Sequence, residues 1–201
     1  MGKRAKCLIV CLVIAASVWT WELLRDRQYL DRELIRLHVV ANSDSEHDQD
    51  IKLQVRDAIV ASLYEGMADI GDVEAAKDYV RENLSKIESI ANETLEAAGV
   101  DSRAVVTLCK EAFDIRKYDT FTLPAGVYES LRVVIGEGQG KNWWCVAFPT
   151  LCMSATSEEF EEAAQIAGMD ENLSETLTGG YRLRFFLLDA LGRAENIFHG
   201  K

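Results

Sequence analysis

The chain has 201 residues, 48% of them apolar, and a formal net charge of −11. This length supports one sizeable core and not two, while two prolines and 13 glycines leave little room for a disordered tail or a flexible linker. The excess of acid argues against nucleic acid as a partner, and against electrostatic attraction of the whole body to anionic lipid.

The N-terminus differs from the rest of the chain. Lys3, Arg4 and Lys6 precede an apolar run from Cys7 to Trp21, a pattern typical of an export signal. The run has 15 residues, fewer than the ~20 that span a bilayer comfortably. Without its three basic residues, the exported body would carry a charge of −14.

Cleavage of this segment is left open by the sequence, because Ala15, Ala16 and Ser17 offer only a weak cleavage site. A lipid anchor on Cys11 is disfavoured by the large Val10 before it. We predict a signal peptide or short membrane anchor in residues 1–24 and a single exported domain in residues 25–201.

The first elements of that domain follow clear patterns. A β-branched run from Leu34 to Val40 predicts a strand. Apolar residues at helical spacing predict one helix from Glu46 to Glu65 and a second from Val73 to Ala98, ended by Gly99.

Shorter β-rich runs follow, separated by turn signals. Strands are predicted at Ala104–Cys109, Phe113–Tyr118, Leu131–Ile135, Trp143–Phe148 and, because Arg182 and Arg184 alternate with apolar residues, Tyr181–Phe186. Short connections favour hairpins, and further helices are predicted from Ser157 to Ala167 and around Leu188, Leu191 and Ile197. The predicted fold class is α+β, an antiparallel or mixed sheet with helices packed on it.

An acidic cluster of Asp44, His47, Asp48 and Asp50 could hold a metal ion. Helix capping is the preferred interpretation, because Ser45 with Asp48 three residues later fits a capping box. No metal and no cofactor are predicted.

Gly136 to Lys141 resembles a phosphate-binding loop only superficially. Ile135 stands where a Walker A motif needs glycine, and Asn142 stands where it needs Ser or Thr. The glycines are better explained by a tight turn with positive φ angles.

Three cysteines lie beyond the signal: Cys109, Cys145 and Cys152. A thiolate at Cys109 or Cys145 with His38 or His47 as its base would make a secreted cysteine-dependent hydrolase, but no diagnostic spacing supports it. We therefore predict no catalytic set. An oxidising destination and the turn-forming Pro149 predict a disulfide between Cys145 and Cys152, with Cys109 as a buried free thiol.

The strand that begins at Trp143 is apolar on both faces. Trp143, Cys145 and Ala147 point one way, while Trp144, Val146 and Phe148 point the other. Either both faces are covered by the protein, or one tryptophan face is left for a partner.

Several blocks of this sequence are similar to one known family, the stage II sporulation protein R family of endospore-forming bacteria. The resemblance spans the signal segment and about residues 30 to 152. Its blocks are Val39–Ser45 with Asp48, Lys52–Asp57, Leu131–Gly138, Asn142–Val146 and Phe148–Cys152, and it weakens beyond Cys152. The candidate family-motif or partner-binding residues are Asn42, Asp44, Asp48, Gly136, Gly138, Asn142, Trp143, Trp144 and Pro149.

The resemblance implies an exported intercellular signal of sporulation. Such a protein is made in the forespore and exported into the space between the forespore and mother-cell membranes. There it activates a membrane-bound sporulation aspartyl protease, which matures pro-sigma-E. The alternatives are the secreted cysteine-dependent hydrolase above and a passive wall or coat component.

Overall fold

The computed structural model describes residues 2–149, 168–179 and 183–199. The helices are α1 Lys3–Glu33, α2 Glu46–Gly66, α3 Val73–Ala97, α4 Glu171–Thr178 and α5 Leu183–His199. The strands are β1 Ile35–Val40, β2 Ala104–Phe113, β3 Arg116–Lys117, β4 Thr122–Leu123, β5 Gly126–Ile135 and β6 Asn142–Phe148. The predicted α+β class is confirmed.

Four strands form a mixed sheet in the order β2-β5-β1-β6. β1 is parallel to β5 and antiparallel to β6, and β2 is antiparallel to β5. All six residues of β1 are buried, as a central strand covered on both faces requires. The predicted hairpin pairing is therefore wrong for β5 and β6, because β1 lies between these consecutive strands. β3 and β4 pair separately.

Helices cover both faces of the sheet. We call the apolar side chains between the sheet and α2 and α3 the α2/α3 core; its members include Leu37, Val39, Val55, Ile59, Val80, Ile87, Leu131 and Val133. We call those on the opposite face the α1/α5 core; its members include Leu30, Leu34, Phe113, Tyr128, Val146, Leu173, Phe185 and Leu188.

The first helix, α1, is continuous but lies in two environments. Its apolar N-terminal part is exposed, with Trp21 at 72%, whereas Leu23 is 8% and Leu30 0% exposed. Within the described part of the chain, Lys6–Glu33 is the segment long and apolar enough to cross a membrane, a test that a signal sequence near an N-terminus also passes. The helix is thus much longer than the apolar run that the sequence marks.

The predicted Ser45 cap of α2 and the predicted glycine after α3 are confirmed. Asp48 does not complete a capping box, because the backbone N–H of Ser45 donates to Ser43 Oγ. Ser45 Oγ accepts a hydrogen bond of 3.1 Å from the backbone N–H of Asp48, and Asp72 caps α3 in the same way at 2.9 Å. Gly99, just after α3, has a φ of +72°, the left-handed conformation that commonly ends a helix.

The strand predicted at residues 181–186 is wrong where the structure describes it. Leu183 to Phe186 begin α5 instead. An alternation of six residues is too short to distinguish the two-residue repeat of a strand from the 3.6-residue repeat of a helix. In the structure the buried positions continue at helical spacing. Those positions are Phe185, Leu188, Asp189 and Gly192. The predicted helix from Ser157 to Ala167 lies outside the described residues.

Candidate functional site

The glycine loop, residues 136–141, crosses the end of β1 because it must connect strands on either side of it. Its backbone N–H groups at Gln139 and Gly140 donate to the carbonyl groups of Asn42 and Ala41, at 3.1 and 2.9 Å. Gly136 and Gly138 have φ angles of +56° and +62°. The prediction of a tight turn with positive φ is confirmed.

Asn42 joins this loop to the start of α2. Its Oδ1 accepts from the backbone N–H of Glu137 at 3.0 Å, and its Nδ2 donates to Asp48 Oδ2 at 2.9 Å. Ser43 Oγ donates to the same Asp48 oxygen at 2.5 Å. The bonds from Ser43 and Asn42 lower the pKa of the Asp48 carboxyl below its ordinary value.

A second set of bonds fixes the far end of the loop. Asp44 Oδ1 accepts from the backbone N–H of Lys141 at 2.7 Å, and Lys52 Nζ donates to the Lys141 carbonyl at 3.2 Å. Asp44 and Asp48 therefore act as acceptors for the protein itself. Among residues 2–149, 168–179 and 183–199, no three His, Cys, Asp or Glu side chains converge as metal ligands would.

Six of the nine candidate residues meet at this corner of the sheet, which we call the loop clamp: Asn42, Asp44, Asp48, Gly136, Gly138 and Asn142. The other three lie along β6 and at its end. Pro149 is buried and follows a cis peptide bond, at the opposite end of β6 from the loop clamp.

The two tryptophans of β6 lie on opposite faces of the sheet, and both are half-buried. The guanidinium of Arg56, in α2, lies 4.3 Å from the ring centroid of Trp143. Trp144 is contacted by the guanidinium of Arg116, at 3.5 Å, and by the stacked ring of His38, at 5.4 Å. The sequence left open whether both tryptophan faces are covered or one is free, and the structure shows both rings partly covered.

The predicted alternation along β6 holds except at its end. Cys145 and Ala147 belong to the α2/α3 core and Val146 to the α1/α5 core. Phe148 also packs in the α2/α3 core, because the register between β1 and β6 shifts at Ile35 and Arg36. Both faces of this strand are covered from Cys145 to Phe148, whereas Trp143 and Trp144 stay partly exposed.

His38 lies in a polar cluster of which sequence analysis found only the histidine. Its Nδ1 is 2.9 and 3.0 Å from the two carboxylate oxygens of Glu111, and Ser130 Oγ donates to Glu111 at 2.9 Å. Burial alone would raise the pKa of Glu111, but the hydrogen bonds from His38 and Ser130 lower it. The alternation of side chains along the strands places all three residues on one face of the sheet, and this pattern could have predicted that they lie together.

Cys109 does not have the environment of a nucleophile. Burial, and then the negative charge of Glu111, raise the pKa of its thiol, whereas an activated cysteine needs a lowered one. Cys109 is a free thiol, as predicted, although it is only half-buried. Cys145 is buried; Cys152 lies outside the described residues, so their disulfide stays a prediction.

Arg36 was also missed by sequence analysis. It is fully buried within β1, donates from Nη2 to Tyr118 Oη at 2.7 Å, and donates from Nε to the Cys145 carbonyl at 3.2 Å. Its guanidinium lies 4.3 Å from the ring centroid of Phe113. Aromatic rings and hydrogen bonds on the α1/α5 side of the sheet stabilise this buried charge.

Comparison with protein families matches residues 31–158 to one family, described as Stage II sporulation protein R. The match includes β1, the loop clamp and all of β6. The chain belongs to the stage II sporulation protein R family. A curated member, "Stage II sporulation protein R" of Bacillus subtilis (strain 168), is 40% identical over 120 residues, which is 60% of this chain.

The aligned part spans about half, 54%, of the length of that Bacillus subtilis relative. No solved structure matches the chain. The stage II sporulation protein R match ends before α4 and α5, so these helices lie outside the shared region. Within the shared region, the motif residues of the loop clamp make contacts inside the fold.

Proposed function

We propose that this protein is the exported intercellular signal of sporulation that activates a membrane-embedded aspartyl protease and so leads to maturation of pro-sigma-E. The observation that carries the proposal is the family match over residues 31–158, together with 40% identity to the Bacillus subtilis protein. The apolar start of α1 supports export to the space between forespore and mother cell, as a cleaved signal or as a membrane anchor. The proposed Cys145–Cys152 disulfide suits that oxidising destination.

The contact with the protease is proposed to lie at β6. This strand is at the edge of the sheet and carries two half-buried tryptophans, a residue type enriched in binding hot spots. Trp144 has two ring partners, Arg116 and His38, and packs against the α1/α5 core. Trp143 has one ring partner, Arg56, and packs against the α2/α3 core. Because it has fewer ring partners, Trp143 is the preferred contact residue.

The test is reconstitution of the protein with the protease and its sigma precursor in vesicles. Trp143→Ala should abolish precursor cleavage by removing at least about 2 kcal/mol of binding free energy. Because this ring also packs against the α2/α3 core, far-UV circular dichroism must show that the variant is folded before its activity is compared. Trp144→Ala should mainly lower the free energy of unfolding, because the stacking of His38 and Arg116 is lost. Tyr64→Ala, at an exposed position of α2, is the matched control and should change neither.

Two results would contradict these proposals. Normal activation by both folded tryptophan variants would remove β6 as the contact. Cleavage of the precursor without the protease would replace the signalling function with the hydrolase alternative.

A further inference from the structure

The outward face of α5 is apolar along its whole length. Its exposed apolar side chains recur at helical spacing and are Leu183, Phe186, Ala190, Leu191, Ala194, Ile197 and Phe198. Phe198 is 83% exposed and Phe186 62%. Single exposed apolar residues are ordinary, but a continuous stripe about 25 Å long marks an interaction surface.

This face also differs in charge from the rest of the molecule. The chain has 33 acidic residues against 22 lysines and arginines, yet the exposed face of α5 contains no acidic residue. Both acids of α5 are paired: Asp189 Oδ1 accepts from the backbone N–H of Ala125 at 2.9 Å and its Oδ2 from Arg193 at 2.7 Å, and Glu195 accepts from Arg27 at 2.6 Å. Arg193 and His199 are its exposed basic groups. The net charge that disfavours anionic lipid therefore does not apply to this face.

Ion pairs place α5 next to the part of α1 that follows its apolar segment. Arg184 of α5 forms an ion pair with the buried Asp26 of α1, and Arg27 of α1 forms one with Glu195. Asp26 is five residues after Trp21, or about 8 Å along the helix axis. The fifth helix therefore packs against the part of α1 that directly follows its exposed apolar segment.

We propose that α5 is an interfacial helix whose apolar face lies in the surface layer of the bilayer that α1 enters, on the exported side. Phenylalanine, leucine and isoleucine side chains would enter the boundary between headgroups and acyl chains. Arg193, paired with Asp189, would lie beside the apolar face at the level of the headgroups. The inference rests on the proposed function only for placing α1 in a membrane. It does not require the protease.

The test uses the full chain in vesicles of phosphatidylglycerol and phosphatidylcholine. A photoreactive p-benzoylphenylalanine replaces, one at a time, Phe186 and Phe198 on the proposed face, Tyr64 on α2, and Trp19 in the apolar segment. Mass spectrometry should find at least about fivefold more lipid adduct at Phe186 and Phe198 than at the exposed Tyr64.

The four positions separate the two proposals. Lipid adducts at Trp19 but not at Phe186 or Phe198 would overturn the interfacial helix and leave the anchor in place. Adducts at Phe186 and Phe198 without one at Trp19 would support the helix and contradict the anchor. Cross-linked dimers at the α5 positions would overturn the proposal by assigning the face to a second copy, and equal adduct at Tyr64 would overturn it as unspecific.

A charge variant gives an independent check. Phe198→Glu places a carboxylate on the face and should lower the lipid adduct at Phe186 several-fold, with an unchanged far-UV circular dichroism spectrum. Tyr64→Glu adds the same charge elsewhere and should leave that adduct unchanged. An unaltered Phe186 adduct in the Phe198→Glu protein would overturn the proposal.

Discussion

Asp48 receives hydrogen bonds from two neighbouring side chains through one carboxylate oxygen. Ser43 and Asn42 donate to it at 2.5 and 2.9 Å, and Asn42 also holds the backbone of Glu137 in the glycine loop. A single ionised group thereby connects the end of β1, the start of α2 and the loop. This makes the loop clamp sensitive to protonation.

Replacing Asp48 with Asn should weaken the acid dependence of stability. The folded-state pKa of Asp48 lies below its ordinary value of 3.8, so its stabilising contribution is complete above the unfolded-state pKa. That contribution is lost as the pH falls through about 4 toward the folded-state pKa. Urea unfolding between neutral and acidic pH should show a shallower acid limb in Asp48→Asn. Asp50→Asn, two residues further along α2 and exposed, is the control. Equal acid limbs in both variants would contradict the prediction.

Other single residues lay beyond sequence analysis because their partners are distant in the chain. Glu111 bonds to His38, 73 positions away, and Arg36 bonds to Tyr118, 82 positions away. A buried arginine inside an apolar strand gives no local signal. In contrast, Ser45 was predicted as a cap because its partner Asp48 is three residues along the chain.

At the scale of elements, alanine substitutions at Gly136, Gly99 and Gly71 distinguish the cost of backbone strain from the cost of a side-chain collision. Gly136 and Gly99 both have positive φ angles, but a Cβ at Gly136 would collide with Oδ1 of Asn42, whereas a Cβ at Gly99 meets nothing within 4 Å. Gly99→Ala should therefore cost roughly 1 to 2 kcal/mol of unfolding free energy from backbone strain alone. Gly136→Ala should cost about 1 to 3 kcal/mol more, because the bonds of Asn42 are disrupted.

Gly71→Ala is the matched control for this series. It has open space and no positive φ angle, so the variant should be neutral or up to about 1 kcal/mol more stable. Urea unfolding of the three proteins gives the order directly. If Gly136→Ala costs no more than Gly99→Ala, the contact with Asn42 contributes little to the loop clamp.

The elements that the sequence predicted well are those with local, long patterns. For α2 and α3 the apolar residues repeat over several turns, and β1 is a β-branched run ended by a cap. The order of strands could not be predicted, because placing β1 between β5 and β6 depends on contacts far apart in sequence. The start of α5 was predicted as a strand because six alternating residues fit the repeat of a strand as well as that of a helix. Its ion pair with Asp26, which identifies the buried side of α5, joins residues far apart in the sequence.

For the whole molecule, one continuous helix, α1, supplies both the exposed apolar segment that we propose as the export signal and part of the α1/α5 core. Leu8 and Trp21 are exposed, while Leu30 is completely buried next to the sheet face that carries Tyr128. A cut near Ala16 would keep every packed residue of α1. The folded body therefore begins close to Glu22, whether or not the signal is removed.

We expect a chain that begins at Glu22 to fold and to activate the protease, and a chain that begins at Leu34 to be unfolded. Loss of a fully buried leucine such as Leu30 alone costs roughly 2 to 5 kcal/mol, and removal of the whole helix segment would approach the 5 to 15 kcal/mol that stabilises a typical domain.

Leu30→Ala should therefore lower the urea midpoint strongly, whereas Leu24→Ala, at a position 46% exposed, should lower it little. Far-UV circular dichroism during urea unfolding compares the two truncated chains with each other and the two leucine variants with each other. Cooperative unfolding of the chain that begins at Leu34, with an unchanged midpoint, would show that α1 serves export alone and is not part of the folded body.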